Sequence, residues 1–174
     1  MAKGDTFILR TTVDSSADTY QSSDIDISAY TDPARGKVLV VDRGFITFST
    51  DGNGPIVAAD VVASGTGQKE MGTQVTTETQ TGLVSAADNS LMMLNNLYVG
   101  VGAAGLITFL NEQSSMNPSQ FMDGFTVPTD KIHCGIKTGD GWNAAIRVGF
   151  VFEVHTEKLS LSKIQELLVS LTAN

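Results

Sequence analysis

The sequence is poor in cysteine and in charge. Only one of its 174 residues is a cysteine, Cys134, so the chain cannot form an internal disulfide. Charged residues make up 17% of the chain, below the roughly 25% of an average globular domain. A surface with few charges must carry neutral polar groups or be covered by neighbours. The abundance of Ser, Thr, Asn, Gln and Gly fits an all-β protein with many turns, and it also fits a subunit that buries surface against neighbours.

Positive charge is especially scarce. Eleven Lys and Arg residues stand against 19 Asp and Glu residues, which gives a net charge of −8. An acidic protein repels phosphate backbones, and no run of basic residues forms a local exception. We therefore do not expect nucleic acid to be the main partner.

Long apolar runs are also missing. The longest nearly apolar stretch, Leu97 to Leu110, has 14 residues, whereas a transmembrane helix needs about 20. We expect no transmembrane segment, although contact with a membrane stays open. The first residues, "MAKGDTFILR", lack the apolar segment of a secretory signal. The sequence thus predicts a protein that is made and kept in a reducing cytoplasm, or released by lysis.

Short β-type runs with turn residues between them fill most of the chain. The clearest run, Ala145 to Thr156, alternates strictly, with Ile146, Val148 and Phe150 on one side and Arg147 and Gly149 on the other. The remaining runs cover 6–13, 38–49, 56–63, 73–81, 91–102, 106–110 and 131–138. Within them, Asp42-Arg43-Gly44 suggests a bulge or a break.

These runs do not alternate with helices, which argues against a parallel sheet. The predicted fold class is all-β: an antiparallel β-sandwich, with an eight-stranded jelly roll as first choice. We expect residues 1–174 to form a single β-sandwich domain that ends in a short α-helix over about 160–172. The Thr-rich run at 73–81 is expected to be a mostly solvated strand or an extended arm.

The terminal helix is predicted to be amphipathic. Ser160 or Ser162 can cap it, and Ser162 with Gln165 has the spacing of a capping box. Its apolar stripe consists of Leu161, Ile164, Leu167, Leu168 and Leu171. So short a helix is marginal alone, so the stripe must dock on its own domain, on a neighbouring subunit or on a membrane surface.

Two glycine-rich segments invite comparison with nucleotide-binding loops. "GVGAAG", Gly100 to Gly105, matches G-x-G-x-x-G, but the following "LITFL" favours a strand over the required helix. We interpret it as a glycine-rich hairpin. "SGTGQKE", Ser64 to Glu70, lacks the spacing of a phosphate-binding loop and is interpreted as a flexible turn.

The reactive side chains form no convincing set. His133 and Cys134 are neighbours on a predicted strand, so they point to opposite faces, and a buried structural role is expected for Cys134. His155 is too far along the sequence from His133 and Cys134 to give the short spacing typical of zinc ligands. Asp24 and Asp26 are interpreted as a solvated strand face. We predict no catalytic residues, no cofactor, no metal site and no enzymatic activity.

Three aromatic residues are candidate contacts. Trp142 lies in the predicted turn Gly139 to Asn143, where it either contacts a partner surface or covers the end of the sandwich core. Tyr30 and Tyr98 are further candidates for binding sugar or protein.

The segment from Val127 to Leu168, "VPTDKIHCGIKTGDGWNAAIRVGFVFEVHTEKLSLSKIQELL", runs as strand, hairpin turn, long strand and helix. Together with the low charge and the Thr- and Gly-rich turns, it resembles single jelly-roll coat proteins of small icosahedral viruses. The resemblance covers about the last hundred residues. It implies a jelly roll, assembly into a shell and no catalysis. The acidic charge departs from coats that contact the genome through basic arms.

Two functions are therefore considered. The first is a self-assembling viral or phage coat subunit, located in the virion, whose partners are copies of itself and other virion proteins. Its contact surfaces would be the leucine stripe, Trp142 and the Thr/Gln-rich segment. The alternative is a β-sandwich module that binds carbohydrate or decorates a virion. Shell symmetry and host stay open.

Overall fold

The computed structural model describes residues 5–15, 18–112, 116–139 and 141–171. The strands of this part of the chain are β1 (Phe7–Asp14), β2 (Gln21–Asp26), β3 (Lys37–Thr50), β4 (Gly67–Thr76), β5 (Leu91–Val101), β6 (Ile107–Glu112), β7 (Phe125–Val127), β8 (Lys131–Thr138) and β9 (Ile146–Lys158). The α-helices are α1 (Ala58–Val61) and α2 (Leu161–Leu171). Short 3₁₀ turns lie at Pro33–Arg35, Ala103–Gly105 and Pro118–Gln120.

The strands form two antiparallel sheets, with the orders β1-β9-β3-β7 and β2-β8-β4-β5-β6. Within them β1 pairs with β9, β2 with β8, β3 with β7 and β4 with β5. The first strand thus pairs with the last, the second with the second last, and so on inward. A long hairpin that is rolled into a sandwich has this pairing, and it is the topology of the eight-stranded jelly roll. Strand β6 is an addition, paired antiparallel to β5 at one edge. The predicted fold class is confirmed.

The core lies between the two sheets, and β9 contributes its largest side chains. Ile146, Val148, Phe150, Phe152 and Val154 are all fully buried, and they are the alternate residues that the sequence pattern placed on one face. The neighbouring β1 and β3 pair with β9 on both sides. The alternation therefore marks a central strand with one face turned to the core and the other half-buried.

Strand β3 carries the predicted bulge. Its register against β9 shifts between Val41 and Arg43, which leaves Asp42 as the extra residue. Short β7 pairs with β3 only up to Val41, and Gly124, with φ +71°, lies directly before the paired residues of β7. A Cβ at Gly124 would collide with the carbonyl oxygen of Val41, so the close approach of the two backbones requires glycine.

The run at 56–63, which we interpreted as β-type, contains the single helical turn α1 instead. Ala58 and Ala59 are good helix formers, and the carboxylate of Asp60 accepts a hydrogen bond from the backbone N–H of Val57 at 2.8 Å. Val61 is buried, so local capping and burial of one side chain outweigh the β-branched composition. None of the helices in the described ranges has the length and apolar character to cross a bilayer.

The core can be tested with two phenylalanines on paired strands. Phe150→Ala should lower the free energy of unfolding by about 3–5 kcal/mol, because a fully buried ring is replaced by a cavity. Phe45→Ala on β3 is the control, and its side chain is half exposed, so its loss should be about 1 kcal/mol or less. Urea unfolding of both variants measures the difference. Equal losses would contradict the assignment of faces.

Candidate interaction surface

Helix α2 begins where the sequence predicted. The backbone N–H of Lys163 donates to the Ser160 side-chain oxygen at 3.3 Å, and the N–H of Ile164 donates to the Ser160 carbonyl at 3.2 Å. Ser160 is therefore the N-cap. Ser162 lies inside the first turn, so the capping box proposed for it and Gln165 does not form.

The leucine stripe of α2 is divided between the interior and the surface. Ile164 is buried and Leu167 half-buried, whereas Leu161 is 55% and Leu168 40% exposed. At 100° per residue, Leu161 and Leu168 lie on one flank of Ile164 and Leu167 lies on the other. The helix thus docks on its own chain through one edge of the stripe and turns the other edge outward. The side chain of Leu171 lies outside the described ones.

Polar contacts hold α2 at both ends. The backbone N–H of Leu159 donates to the Gly36 carbonyl at 2.8 Å, next to the turn that the helix packs against. Near its C-terminal end, the Asn89 side-chain amide donates to the Ser170 carbonyl at 2.8 Å, satisfying one of the carbonyls that a helix end leaves unpaired. These contacts orient the exposed flank relative to the sandwich.

Exposed apolar side chains also occur among polar ones on the outer face of the four-stranded sheet. The strand register places Arg10, Val151 and Phe45 in one row across β1, β9 and β3. Phe45 is 52% exposed. An ion pair of 2.8 Å between Arg43 and Glu153 borders this row.

A groove of about 1400 Å³ separates this surface from α2. It runs from the β3 bulge past the connection before β7 to the start of the helix. Its apolar lining includes Phe45, Phe121, Met122 and Leu167. Leu167 lines this groove, so Leu161 and Leu168 lie on the flank of α2 that faces away from it. The outer sheet face with its groove and the exposed flank of α2 are therefore two candidate interaction surfaces.

Both histidines make a structural pair with an aspartate. His133 Nδ1 lies 2.7 Å from Asp24 Oδ1, and His155 Nδ1 lies 2.8 Å from Asp42 Oδ2 at the bulge. Both imidazoles are buried, so each pair ties a strand to its neighbour. Asp24 is exposed, as the predicted solvated strand face requires. Sequence reasoning missed its contact with His133, because 109 residues separate the two.

Cys134 lies in the core, as predicted, and points away from His133. Burial raises the pKa of its thiol strongly, which opposes the thiolate needed for nucleophilic attack. Within the described ranges, no group of three or more His, Cys, Asp or Glu residues is arranged to hold a metal ion.

The glycine-rich segments lie in β-structure. Gly100 to Gly105 connects β5 to β6 as a hairpin, with the backbone N–H of Gly102 donating to the Leu106 carbonyl at 2.7 Å. The predicted hairpin is confirmed, and β6 lies where a nucleotide fold would have a helix. The turn predicted from Ser64 to Glu70 is partly wrong, because β4 already begins at Gly67.

The expectation of a solvated Thr/Gln-rich segment is wrong. Thr73, Gln74, Thr76 and Thr77 are all buried, since β4 lies inside the five-stranded sheet between β8 and β5. The segment is therefore no contact surface for other chains at these residues. Their polar groups are satisfied within the chain, as in the bond from Thr73 Oγ1 to the Asn95 carbonyl at 2.8 Å.

Gln74 is the centre of a polar network on the outer side of this sheet. Its amide nitrogen donates to the Tyr20 hydroxyl at 2.9 Å and to the Gly82 carbonyl at 2.8 Å. Its oxygen accepts from the backbone N–H of Val84 at 2.8 Å. The network fastens the loop after β4 over the sheet, and burial raises the pKa of Tyr20.

The predicted aromatic contacts occupy different environments. Trp142 is half-buried against the core, and its indole N–H donates to the Glu70 carbonyl at 3.3 Å. Tyr30 stacks on Phe7 with 4.7 Å between ring centroids. Tyr98 borders a depression of about 370 Å³ on the outer face of the five-stranded sheet, beside Glu70, Asn96 and Lys137.

Sequence reasoning missed several exposed apolar residues. Phe45, Phe121 and Met122 lie in runs or loops whose pattern gave no sign of exposure. On β6 and the turn before it, Leu106, Phe109 and Leu110 were predicted as part of a strand. Alternation identifies a strand, but only pairing in the sheet shows that β6 is an edge strand.

No family model and no curated protein matches the sequence. Among solved structures, the VP1 pentamer of Human Polyomavirus 7 matches with a TM-score of 0.54 at 8% identity, over 89% of this chain and 96% of that chain. The unassembled VP1 pentamer of KI Polyomavirus matches with a TM-score of 0.49 at 11% identity, over 89% and 95%. We base the comparison of folds on the first. The resemblance to jelly-roll coat proteins is thus confirmed for the fold.

The polar network can be tested at Gly135 of β8. A Cβ at this position would collide with the Tyr20 ring, so Gly135→Ala should displace Tyr20 and break its bond to Gln74. We expect a loss of about 1–3 kcal/mol in the free energy of unfolding.

Gly100→Ala is the matched control, because a Cβ on this strand glycine meets nothing within 4 Å. Its effect should stay within about 0.5 kcal/mol. Thermal unfolding of both variants is the measurement, and an unaffected Gly135→Ala variant would show that Tyr20 does not pack as described.

Proposed function

We propose that this protein is a structural subunit that assembles with copies of itself, as a coat subunit of a viral or phage shell. Its mechanism is the burial of apolar surface between copies, without a chemical reaction. The jelly roll supports this proposal, because the Human Polyomavirus 7 structure of the same fold is a pentamer of the coat protein VP1.

The single observation that carries the proposal is the division of the leucine stripe on α2. A helix that served only its own domain would bury its apolar residues there. Here Leu161 and Leu168 remain on the outside, while the helix is held in place by Ile164 and by its end contacts. This fixed apolar flank, on the side of α2 away from the groove, provides a surface that another subunit can cover.

The charge agrees with assembly from a soluble subunit. A net charge of −8 keeps separate copies apart until apolar contacts outweigh repulsion. Salt at about 0.15 M screens charges beyond roughly 8 Å, so it weakens this repulsion. We propose that copies of the chain and other virion proteins are its partners in the virion, and that nucleic acid is not the main partner.

Residues 1–174 are proposed to act as one β-sandwich domain made in the host cytoplasm. The leucines of α2 contribute to contacts between copies. Trp142 is proposed at the rim of such a contact, since its ring is only half-buried against the core. A contact with a membrane surface through α2 stays a prediction.

One observation favours the alternative of a carbohydrate-binding or decoration module. Tyr98 lies beside Glu70, Asn96 and Lys137 in the depression on the five-stranded sheet. An aromatic ring flanked by hydrogen-bonding groups is suited to a sugar, whose faces are apolar and whose edges are polar. The depression is small, so it fits one or two sugar units at most.

The self-assembly proposal predicts that Leu161→Ser with Leu168→Ser will weaken association. The purified protein should form particles or oligomers in light scattering and analytical ultracentrifugation, and the double variant should form them at least about tenfold less readily. Because both side chains are largely exposed, the stability of the subunit should change by only about 0.5 kcal/mol per substitution.

Glu166→Ser on the polar face of α2 is the control and should assemble normally. The mass of the associated species, measured across protein concentration, salt and pH, shows whether the protein assembles. A wild-type chain that remains a monomer throughout would overturn the proposed function.

The alternative predicts binding on a glycan array that Tyr98→Ala abolishes. Trp142→Ala is the comparison variant, because its ring lies outside the depression and should leave sugar binding unchanged. Array signals that are absent, or that survive Tyr98→Ala, would exclude this depression as a sugar site.

A further inference from the structure

The two sheets have four edge strands, and three of them are protected against pairing. Strand β7 has only three residues. Strand β2 turns exposed Asp24 and Asp26 outward, and charges on an edge disfavour pairing. Strand β1 lies beside β2, joined to it by the contact of the Thr11 and Ser23 hydroxyls at 3.0 Å.

Strand β6 differs from the other three edges. Phe109 and Leu110 lie on opposite faces of this strand and are 48% and 61% exposed. Leu106, in the turn before it, is 70% exposed, and Tyr98, the register partner of Leu110 on β5, is also exposed. Apolar groups thus surround this edge, which is the feature that natural proteins avoid on an uncovered edge.

The hairpin geometry shows which backbone groups of β6 point away from β5. The Gly102 N–H donates to the Leu106 carbonyl, and hydrogen-bonded pairs alternate along an antiparallel ladder. Thr108 and Leu110 therefore bond to β5, whereas Ile107, Phe109 and Asn111 turn their N–H and C=O groups outward. Among the described residues, no partner for the outward groups of Ile107 and Phe109 is seen.

The apolar area at this edge matches what a stable interface needs. With each side chain at roughly 150–250 Å² when fully exposed, the exposed parts of Leu106, Phe109, Leu110 and Tyr98 amount to about 400 Å². A standard interface buries about 800 Å² per partner, of which a little over half is apolar. The β6 edge can therefore supply the apolar part of one such interface.

We propose that β6 pairs antiparallel with β6 of a second copy of this chain, around a two-fold axis at Phe109. This register joins Phe109 to the same residue of the second copy and Ile107 to Asn111, so all three outward-facing residues are hydrogen-bonded. The two five-stranded sheets become one continuous sheet of ten strands. The inference deepens the proposed self-assembly and rests on it for the identity of the occupant.

As a pairing partner for β6, the β6 strand of a second copy is more suitable than any other edge strand of this chain. Pairing β6 with β2 would place apolar side chains against Asp24 and Asp26, which would lose solvation without gaining a counter-charge. Pairing β6 with itself in this register places Phe109 against Phe109 of the second copy on one face and Leu110 against Thr108 on the other, and it buries no charge within these pairs. A two-fold contact also needs only one self-complementary patch.

Backbone amide exchange of the wild-type protein tests the pairing directly. The amides of Ile107 and Phe109 should exchange slowly at high protein concentration and become at least about tenfold faster on dilution to the monomer. The amides of Thr108 and Leu110 should be protected at both concentrations, since they bond to β5. Leu110→Lys should weaken dimerisation by roughly tenfold or more in sedimentation equilibrium.

Ala29→Lys is the matched control, because it adds the same charge at an exposed residue that follows β2, at the opposite edge of the five-stranded sheet from β6. It should dimerise like the wild type. Fast exchange at residues 107 and 109 in an associated sample, or association that Leu110→Lys leaves unchanged, would overturn the β6 contact while leaving self-assembly intact. A dimer with protected β6 amides that never grows larger would support this contact and contradict the shell. A strict monomer would contradict both, and would leave β6 to a foreign chain.

Discussion

The fold depends on the burial of one face of β9 between β1 and β3. This strand comes last in the chain, yet it lies inside the four-stranded sheet and pairs with β1 near the other end of the sequence. Its five inward side chains are fully buried, and burial of each large apolar side chain contributes about 1.5–3 kcal/mol. The four-stranded sheet is complete only when this strand joins β1 to β3.

This arrangement leaves the outer faces and edges of the sandwich for contacts with other molecules. The core uses alternate residues of the long central strands, and these positions cannot also contact other molecules. We propose the outer sheet face around Phe45, the flank of α2 and the edge strand β6 as the main contacts with other chains. All three have a defined position on the sandwich, so little ordering is needed on association.

The buried polar groups have a structural role. Gln74, His133 and His155 each bond to a group that is distant in sequence, and an unpaired polar group at such depth would cost about 1–3 kcal/mol. They fasten loops and neighbouring strands to the sheets. The two His–Asp pairs thus connect neighbouring strands, and Gln74 attaches a loop.

The sequence by itself determined the strands with strict alternation, the turns and the capped terminal helix, because these follow from the spacing of neighbouring residues. It identified Ile146, Val148 and Phe150 as one buried face and placed the helix start within a residue or two. It could not show that Thr73 to Thr77 are buried, since polar side chains become interior only when a loop and Tyr20 cover them. Only the tertiary structure decided that β6 is an exposed edge and that Leu161 and Leu168 face outward, because exposure depends on which distant segments pack alongside.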